Sequence, residues 1–116
     1  ASGSDVATES KVVHIFRTAA DIVALDVVCE TAPTGGDKQF TVDIHKGNAA
    51  SAFATILSSV VTMSSADSDR TVEAGTLSTT TAAADDQIKV IVTASGSTGS
   101  QGDGVNVVLW VREQAD

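Results

Sequence analysis

The stretch KQFTVDIHK, residues 38–46, decides the fold of this chain. Its apolar residues Phe40, Val42 and Ile44 alternate with polar or charged ones. Successive side chains of a β-strand point to opposite faces, so this pattern predicts one buried face and one solvated face. The Gly-Asn pair at 47–48 follows directly and predicts a turn.

Similar strand patterns extend from this stretch in both directions along the chain. Further strands are predicted at residues 11–17, 21–30, 71–76, 87–95 and 105–113, with a short strand pair or one bent strand over 52–63. Turn-forming residues separate them: Pro33 with Gly35 and Gly36, and a long glycine-rich loop at 96–104. Residues 78–86 predict a loop or one helical turn. Seven or eight short strands without intervening helices predict an all-β antiparallel β-sandwich, of jelly-roll or immunoglobulin-like type.

Two of the predicted strands carry apolar residues on both faces. In residues 21–30, a strict alternation places Ile22, Ala24, Asp26 and Val28 on one face; the other face holds Val23, Leu25, Val27 and Cys29. In residues 105–113, the face predicted to point inward holds Val105, Val107, Leu109 and Val111. A strand that is apolar on both sides needs a covering segment or a partner.

Composition agrees with one small β domain. The chain has 116 residues and 42% hydrophobic residues, but only 3% aromatic ones. We expect a single domain over residues 11–116, preceded by a polar, flexible arm at 1–10. The formal net charge of −8 argues against nucleic acid as a partner, because phosphate binding needs clustered Lys and Arg. No apolar run is long enough for a transmembrane helix, and the first ten residues do not resemble a signal peptide, so we expect no membrane partner.

The order of segments resembles that of tailed-bacteriophage virion β-sandwich proteins. Residues 25–48 (LDVVCETAPTGGDKQFTVDIHKGN) resemble their APTG…VDI hairpin, and residues 55–58 (TILS) resemble the segment that follows it. Residues 71–77 (TVEAGTL) and 86–92 (DQIKVIV), the glycine-rich loop and the last strand continue the pattern. The similarity covers about 90 residues, from roughly 21 to 113.

This resemblance implies a structural role in a phage particle. The expected protein is a capsid decoration (cement) protein on the outer capsid surface, with the major capsid protein as its partner and a homotrimeric state. It would be made in the cytoplasm of the bacterial host, which agrees with a single unpaired cysteine. The alternative is a tail, fibre or baseplate component, including a glycan-binding adhesion module.

Residue types that carry chemistry are present, but their spacing predicts no catalytic, cofactor or metal site. The loop at 95–100 (SGSTGS) lacks the spacing of a nucleophile elbow and of a P-loop. His14 and His45 lie in predicted strands without a third metal ligand at a defined spacing. The acidic pairs at 67/69 and 85–86 predict solvated turn carboxylates rather than a calcium site. Cys29 is expected to be a buried, inert side chain.

The predicted interface residues lie at the two ends of the chain. Trp110 falls on the face opposite Leu109, where it either fills space under a loop or anchors a partner, because Trp is enriched at binding hot spots. Val108 is expected beside it, with Ile91 on the neighbouring predicted strand. The arm is expected to order on a neighbouring subunit. Its interface candidates are Ala1, Ser2, Gly3, Ser4 and Asp5.

Overall fold

The computed structural model describes residues 6–114, and these residues form only β-strands, turns and loops. The nine strands are β1 (Glu9–Ile15), β2 (Ala20–Thr31), β3 (Gln39–Gly47), β4 (Ala54–Thr55), β5 (Val61–Met63), β6 (Glu73–Ala74), β7 (Thr81–Ala82), β8 (Gln87–Ser95) and β9 (Asp103–Glu113). The predicted all-β class is therefore confirmed. Residues 52–63 hold two short strands, one of the two predicted alternatives. The strand number exceeds the predicted seven or eight because residues 78–86, predicted as a loop or one helical turn, hold the short strand β7.

The strands form two antiparallel sheets. Sheet I has the order β1-β8-β3, and β3 pairs on its other side with β4 and β5. Sheet II has β2 at its centre, with β9 along one side and β6 and β7 along the other. The chain crosses repeatedly between the sheets, so β8 and β9, which follow each other in sequence, belong to different sheets. The long strands β2 and β9 pair over almost their whole length.

Apolar side chains from both sheets form one core cluster. Phe40, Val42 and Ile44 of β3 are completely buried, as their alternation predicts. From sheet II, Leu25 and Val27 are buried to the same degree. Full burial of each such side chain contributes about 1.5–3 kcal/mol relative to leaving it in water.

Strand β2 differs from its predicted alternation. The register between β2 and β9 shifts between Ile22 and Ala24, which leaves Val23 as the extra residue of a β-bulge. The bulge exchanges the two faces: Ile22 is buried at 2% exposure, whereas Val23 is 56% exposed. After the bulge, Leu25, Val27 and Cys29 share one face, as the alternation predicts, and this face points inward.

The segment before β1 lies along the body of the protein from residue 6 onward. The Val6 N–H donates to the Gly102 carbonyl at 3.0 Å, and the Val6 side chain packs against the core. The Ala94 N–H donates to the Thr8 hydroxyl at 3.0 Å, and β1 itself begins at residue 9. Strand β1 therefore begins two residues before the start predicted for the first strand, residue 11.

Candidate interaction site

The two long sides of the sandwich are built differently. On the side of β4–β7, backbone hydrogen bonds join the sheets: the Ser78 N–H donates to the Ile56 carbonyl at 2.8 Å, and the Ser58 N–H donates to the Thr76 carbonyl at 2.9 Å. An antiparallel bridge between Leu57 and Leu77 lies between these bonds. This side of the sandwich is closed.

The opposite side is bordered by β1 of sheet I and β9 of sheet II, and we call it the open edge. Within residues 6–114, β1 pairs with β8 alone and β9 pairs with β2 alone. The bond from Val6 to Gly102 joins the segments that precede both strands, whereas the bond from the Gln114 N–H to the Ala19 carbonyl, 2.9 Å, only continues the β2–β9 pairing. The open edge is therefore tied at the beginnings of β1 and β9 and unpaired beyond them.

A groove of about 210 Å³ runs between the two strands of the open edge. Its lining is apolar apart from one imidazole and comprises Val13, His14, Ile44, Ile88, Val90, Val107, Leu109 and Val111. The His14 ring packs edge-on against Phe16 with 4.7 Å between ring centroids. Pockets for drug-sized ligands usually have about 300–1,000 Å³, so this groove suits inserted side chains better.

The open edge also concentrates the exposed apolar residues. Six of the nine large hydrophobic side chains exposed within residues 6–114 lie on β1 and β9: Val12, Val13, Ile15, Val108, Trp110 and Val111. The two strands carry Lys11 and Arg112 against Glu9, Asp103 and Glu113, so their net charge is −1 in a chain of −8. Val13 and Val111 line the groove, whereas Val12 and Ile15 lie on the outer face of sheet I and Val108 and Trp110 lie on that of sheet II. Exposed apolar residues along an almost neutral edge mark an interaction surface on an otherwise acidic protein.

The two strands of the open edge differ in their protection against pairing. In β1, a register shift between Val12 and His14 makes Val13 a bulge. Lys11 and Glu9 lie opposite Val90 and Val92, so these two charges share the core-facing side of β1. Bulges and inward-pointing charges are devices by which edge strands avoid pairing with other chains.

Strand β9 has neither device along its centre. Its eleven residues carry charges only at Asp103, Arg112 and Glu113, and residues 104–111 (GVNVVLWV) are uncharged and free of proline. The bulge in its pairing with β2 falls on Val23 of the partner strand. A long, uncharged edge strand presents unpaired N–H and carbonyl groups to any incoming strand.

The Trp110 side chain is 54% exposed on the outer face of sheet II. Its Nε1–H donates to the Asp26 carboxylate at 3.0 Å, which accounts for an acidic residue within an otherwise apolar strand. Nearby, Gln114 and Arg112 both donate to Asp21, and these bonds hold the pKa of that carboxyl below its usual value. The indole is thus held in place with its ring open to a partner.

The predicted interface residues do not all come together. Trp110 and Val108 lie on the outer face of sheet II, at 54% and 40% exposure. Ile91 is opposite Asp43 and Ser10 in sheet I, so it does not share a face with Val108. The assumption that β8 and β9 are neighbours in one sheet is wrong. The candidates Ala1, Ser2, Gly3, Ser4 and Asp5 lie outside the described residues.

Sequence reasoning missed the contribution of β1. Val12, Val13 and Ile15 were expected only as part of a first strand, yet their exposures are 42%, 54% and 58%. An apolar strand in sequence normally indicates burial. Val13 is exposed because the edge strand β1 borders an open groove, whereas Val12 and Ile15 lie on the outer face of sheet I. No local signal in the sequence distinguishes these two situations.

Asp86 is the second residue whose role sequence reasoning missed. It is 4% exposed, where a solvated turn carboxylate was expected. Its carboxylate accepts hydrogen bonds from the Ala83 N–H at 2.8 Å and from Asn48 Nδ2 at 2.7 Å, and Lys46 Nζ lies 3.7 Å away. Burial raises the pKa of Asp86, but these donors and the ammonium outweigh it, so the pKa lies below its ordinary value. Asp86 is a structural anchor at one end of the sandwich.

The other residues with reactive or metal-binding side chains are buried or take part in local contacts. Cys29 is completely buried, and this burial raises the pKa of its thiol. His45 Nε2 lies 3.0 Å from the Asp43 carboxylate on the same strand. Asp69, which lies in the turn before β6, accepts a hydrogen bond of 2.8 Å from the Ala32 N–H. Among residues 6–114, His, Cys, Asp and Glu form no group of three or more that could hold a metal ion.

Comparison of the chain with family models, curated proteins and solved structures found no match. Residues 6–114 also contain no helix with the length and apolar character needed to cross a bilayer.

Proposed function

We propose that this protein is a non-enzymatic structural protein of a tailed phage: a capsid decoration protein that binds the major capsid protein on the outer shell. The observation that carries this proposal is the open edge, whose two strands together expose six apolar side chains and enclose an apolar groove. The resemblance of residues 21–113 to phage virion proteins supports the same role. In this role the open edge is the surface that binds the capsid, and the rest of the sandwich holds its two strands in place.

The size of the open edge suits binding that is repeated many times over a shell. The three exposed hydrophobic residues of β1 are each 42–58% exposed, so burying the remainder contributes about 1 kcal/mol per side chain. Association itself costs several kcal/mol, so the net binding free energy of a single contact is small. Because the protein would bind only the assembled shell, every occupied site shifts the equilibrium toward that shell by mass action.

The charge distribution supports an external position. The chain carries −8 overall, and an interior location would place this charge against packaged DNA. The open edge, with its net charge of −1, is the part of the chain that meets little repulsion from another acidic surface. The proposed location is therefore the outer capsid surface, after synthesis in the host cytoplasm.

The test mixes purified protein with expanded, DNA-free heads and measures bound copies and the temperature at which the heads disrupt. We expect hundreds of copies per head and a higher disruption temperature. Val12→Asp, which places a charge on the open edge, should weaken binding at least tenfold. Val60→Asp is the matched control, because Val60 has a similar exposure (45% against 42%) away from β1 and β9. Wild-type protein that does not bind heads would refute the proposal.

A tail-fibre or baseplate adhesin is the second candidate, and Trp110 favours it. An exposed indole whose N–H is fixed by Asp26 offers a flat aromatic platform beside a carboxylate, an arrangement on which a sugar ring can stack. A glycan array decides between the candidates: binding that is lost in Trp110→Ala and a low copy number at the tail would support the adhesin.

A further inference from the structure

We propose that β9 pairs antiparallel with β9 of a second copy of this chain, so that sheet II continues across a twofold dimer. This inference goes beyond the proposed function, because it concerns only contacts between identical chains. A twofold contact would also replace the homotrimer that the family resemblance implies.

Within the described part of the chain, the backbone of β9 is free to pair with another strand. Its outer side has no strand partner within residues 6–114, and residues 104–111 carry neither charge nor proline. The other strand of the open edge, β1, is interrupted by the bulge at Val13 and carries Lys11 and Glu9 on its core-facing side. Of the two strands, β9 is the one able to accept a straight, continuous partner strand.

The side-chain pattern of β9 indicates that the partner strand is β9 itself. A twofold contact requires a self-complementary surface, in which each residue meets its counterpart across the axis. With Leu109 on the axis, Val108 lies opposite Trp110 of the second copy, and Val107 lies opposite Val111. Every position from 107 to 111 then meets an apolar residue.

Charge is compatible with this register and excludes a neighbouring one. With Leu109 on the axis, Arg112 lies opposite Asn106 and Glu113 lies opposite Val105, so no two like charges face each other. A shift of the axis to Val108 would place Asp103 opposite Glu113, which is unfavourable. Two chains of −8 repel each other, and contact through the uncharged centre of β9 keeps most of that charge apart.

The pairing also accounts for the exposed residues on both faces of β9. On the outer face, Val108 of the second copy would cover part of Trp110, which is 54% exposed in the single chain. On the inner face, Val107 and Val111 line the groove, and the same residues of the second copy would lengthen its apolar lining. The β1 side of the open edge, with Val12 and Ile15, stays available for the capsid.

The first experiment measures the mass of the wild-type protein in solution by sedimentation equilibrium and by light scattering. We expect twice the 11.7 kDa of one chain. Val108→Lys should give the mass of a single chain with an unchanged far-ultraviolet circular dichroism spectrum. Its matched controls are Val12→Lys on β1 and Val60→Lys outside the open edge, since all three side chains are 40–45% exposed; both controls should remain dimeric.

The second experiment tests the register by oxidative cross-linking. Residues on the axis of an antiparallel pair have Cα atoms about 4.5–5.5 Å apart, within the range of a disulfide. Leu109→Cys should therefore form a covalent dimer, whereas the two copies of Val105→Cys would lie about 26 Å apart and should not. Cys29 is buried, so the wild-type chain is the background control.

A wild-type protein with the mass of one chain or of three chains would overturn the twofold pairing. A dimer that persists in Val108→Lys, or that gives no cross-link in Leu109→Cys, would also overturn it. If an apolar small molecule occupied the groove instead of a second chain, the measured mass would be that of a single chain. Because only this chain is present in these measurements, their outcome is independent of whether the protein binds capsids.

Discussion

Replacing Asp86 by Asn should destabilise the fold without removing any packing volume. The carboxylate offers two acceptor oxygens, which the Ala83 N–H and the Asn48 amide use at 2.8 Å and 2.7 Å. An Asn side chain has one acceptor oxygen, so one of these donors loses its acceptor, and Lys46 loses its counter-charge at 3.7 Å. A hydrogen bond to a charged group contributes about 1.5–3 kcal/mol. We expect a loss of about 2 kcal/mol, or roughly 8 °C in Tm.

The effect of Asp86→Asn should depend on pH in a defined direction. The folded-state pKa of Asp86 lies below its ordinary value of 3.8, so the ionised form stabilises the folded protein. This contribution is complete well above pH 3.8 and is lost as the pH falls through the folded-state pKa. The difference in unfolding free energy between wild type and variant should therefore be largest near neutral pH and should narrow below about pH 4.

The assay is urea unfolding followed by circular dichroism between pH 7 and pH 3. Asp85→Asn is the control, because Asp85 is exposed, forms none of these bonds and has φ +73°, a conformation that Asn tolerates. It should change the unfolding free energy by less than about 0.5 kcal/mol. A variant Asp86→Asn as stable as wild type, or a difference that stays constant over this pH range, would refute the reasoning.

Three further predictions concern the core, a turn and the thiol. Leu25→Ala should lower the unfolding free energy by about 2–5 kcal/mol in urea titrations, because Leu25 is fully buried; a smaller loss would mean that the core collapses into the space. Gly99→Ala should reduce Tm far more than Gly35→Ala: both have positive φ, but a Cβ at Gly99 would lie 2.2 Å from the Thr34 carbonyl oxygen, whereas the nearest atom at Gly35 is 3.8 Å away. Equal losses would contradict the contact. Cys29 should react with a thiol reagent at pH 8 much more slowly in the native protein than in urea, since burial raises its pKa and blocks access; equal rates would show that it is accessible.

The parts of the fold that were predictable are those in which local pattern and tertiary structure agree. Residues 39–47 alternate cleanly, and burial follows that alternation at Phe40, Val42 and Ile44. The inward face of β9 was predictable from Val105 to Leu109, whereas Val111, which was also expected to point inward, lines the open groove and is 40% exposed. In β2 both faces are apolar, so the sequence does not say where a bulge at Val23 will change the alternation. The position of the bulge depends on how β2 pairs with β9, which lies far away in sequence.

The candidate site was predictable only in part, because it depends on which strands end up at the edges. Trp110 stands out by composition and does lie at the open edge. Ile91 was grouped with Val108 because β8 and β9 are joined by one loop, but that loop crosses from one sheet to the other. The burial of Asp86 depends on Asn48 and Lys46, which are about forty residues away in sequence.

The pairing of β1 with β8 and of β2 with β9 has a consequence for the synthesis of the chain. Each of the first two strands pairs with a strand made 72 to 93 residues later, so sheet I cannot be completed before β8 is made and sheet II cannot be completed before β9 is made. Until β9 has left the ribosome, the apolar residues of β2 have no long partner strand to cover them. Pairings between such distant segments fold slowly and leave apolar strands exposed in the meantime. The apolar residues of β2 are therefore open to unwanted pairing in a newly made chain until β9 is available.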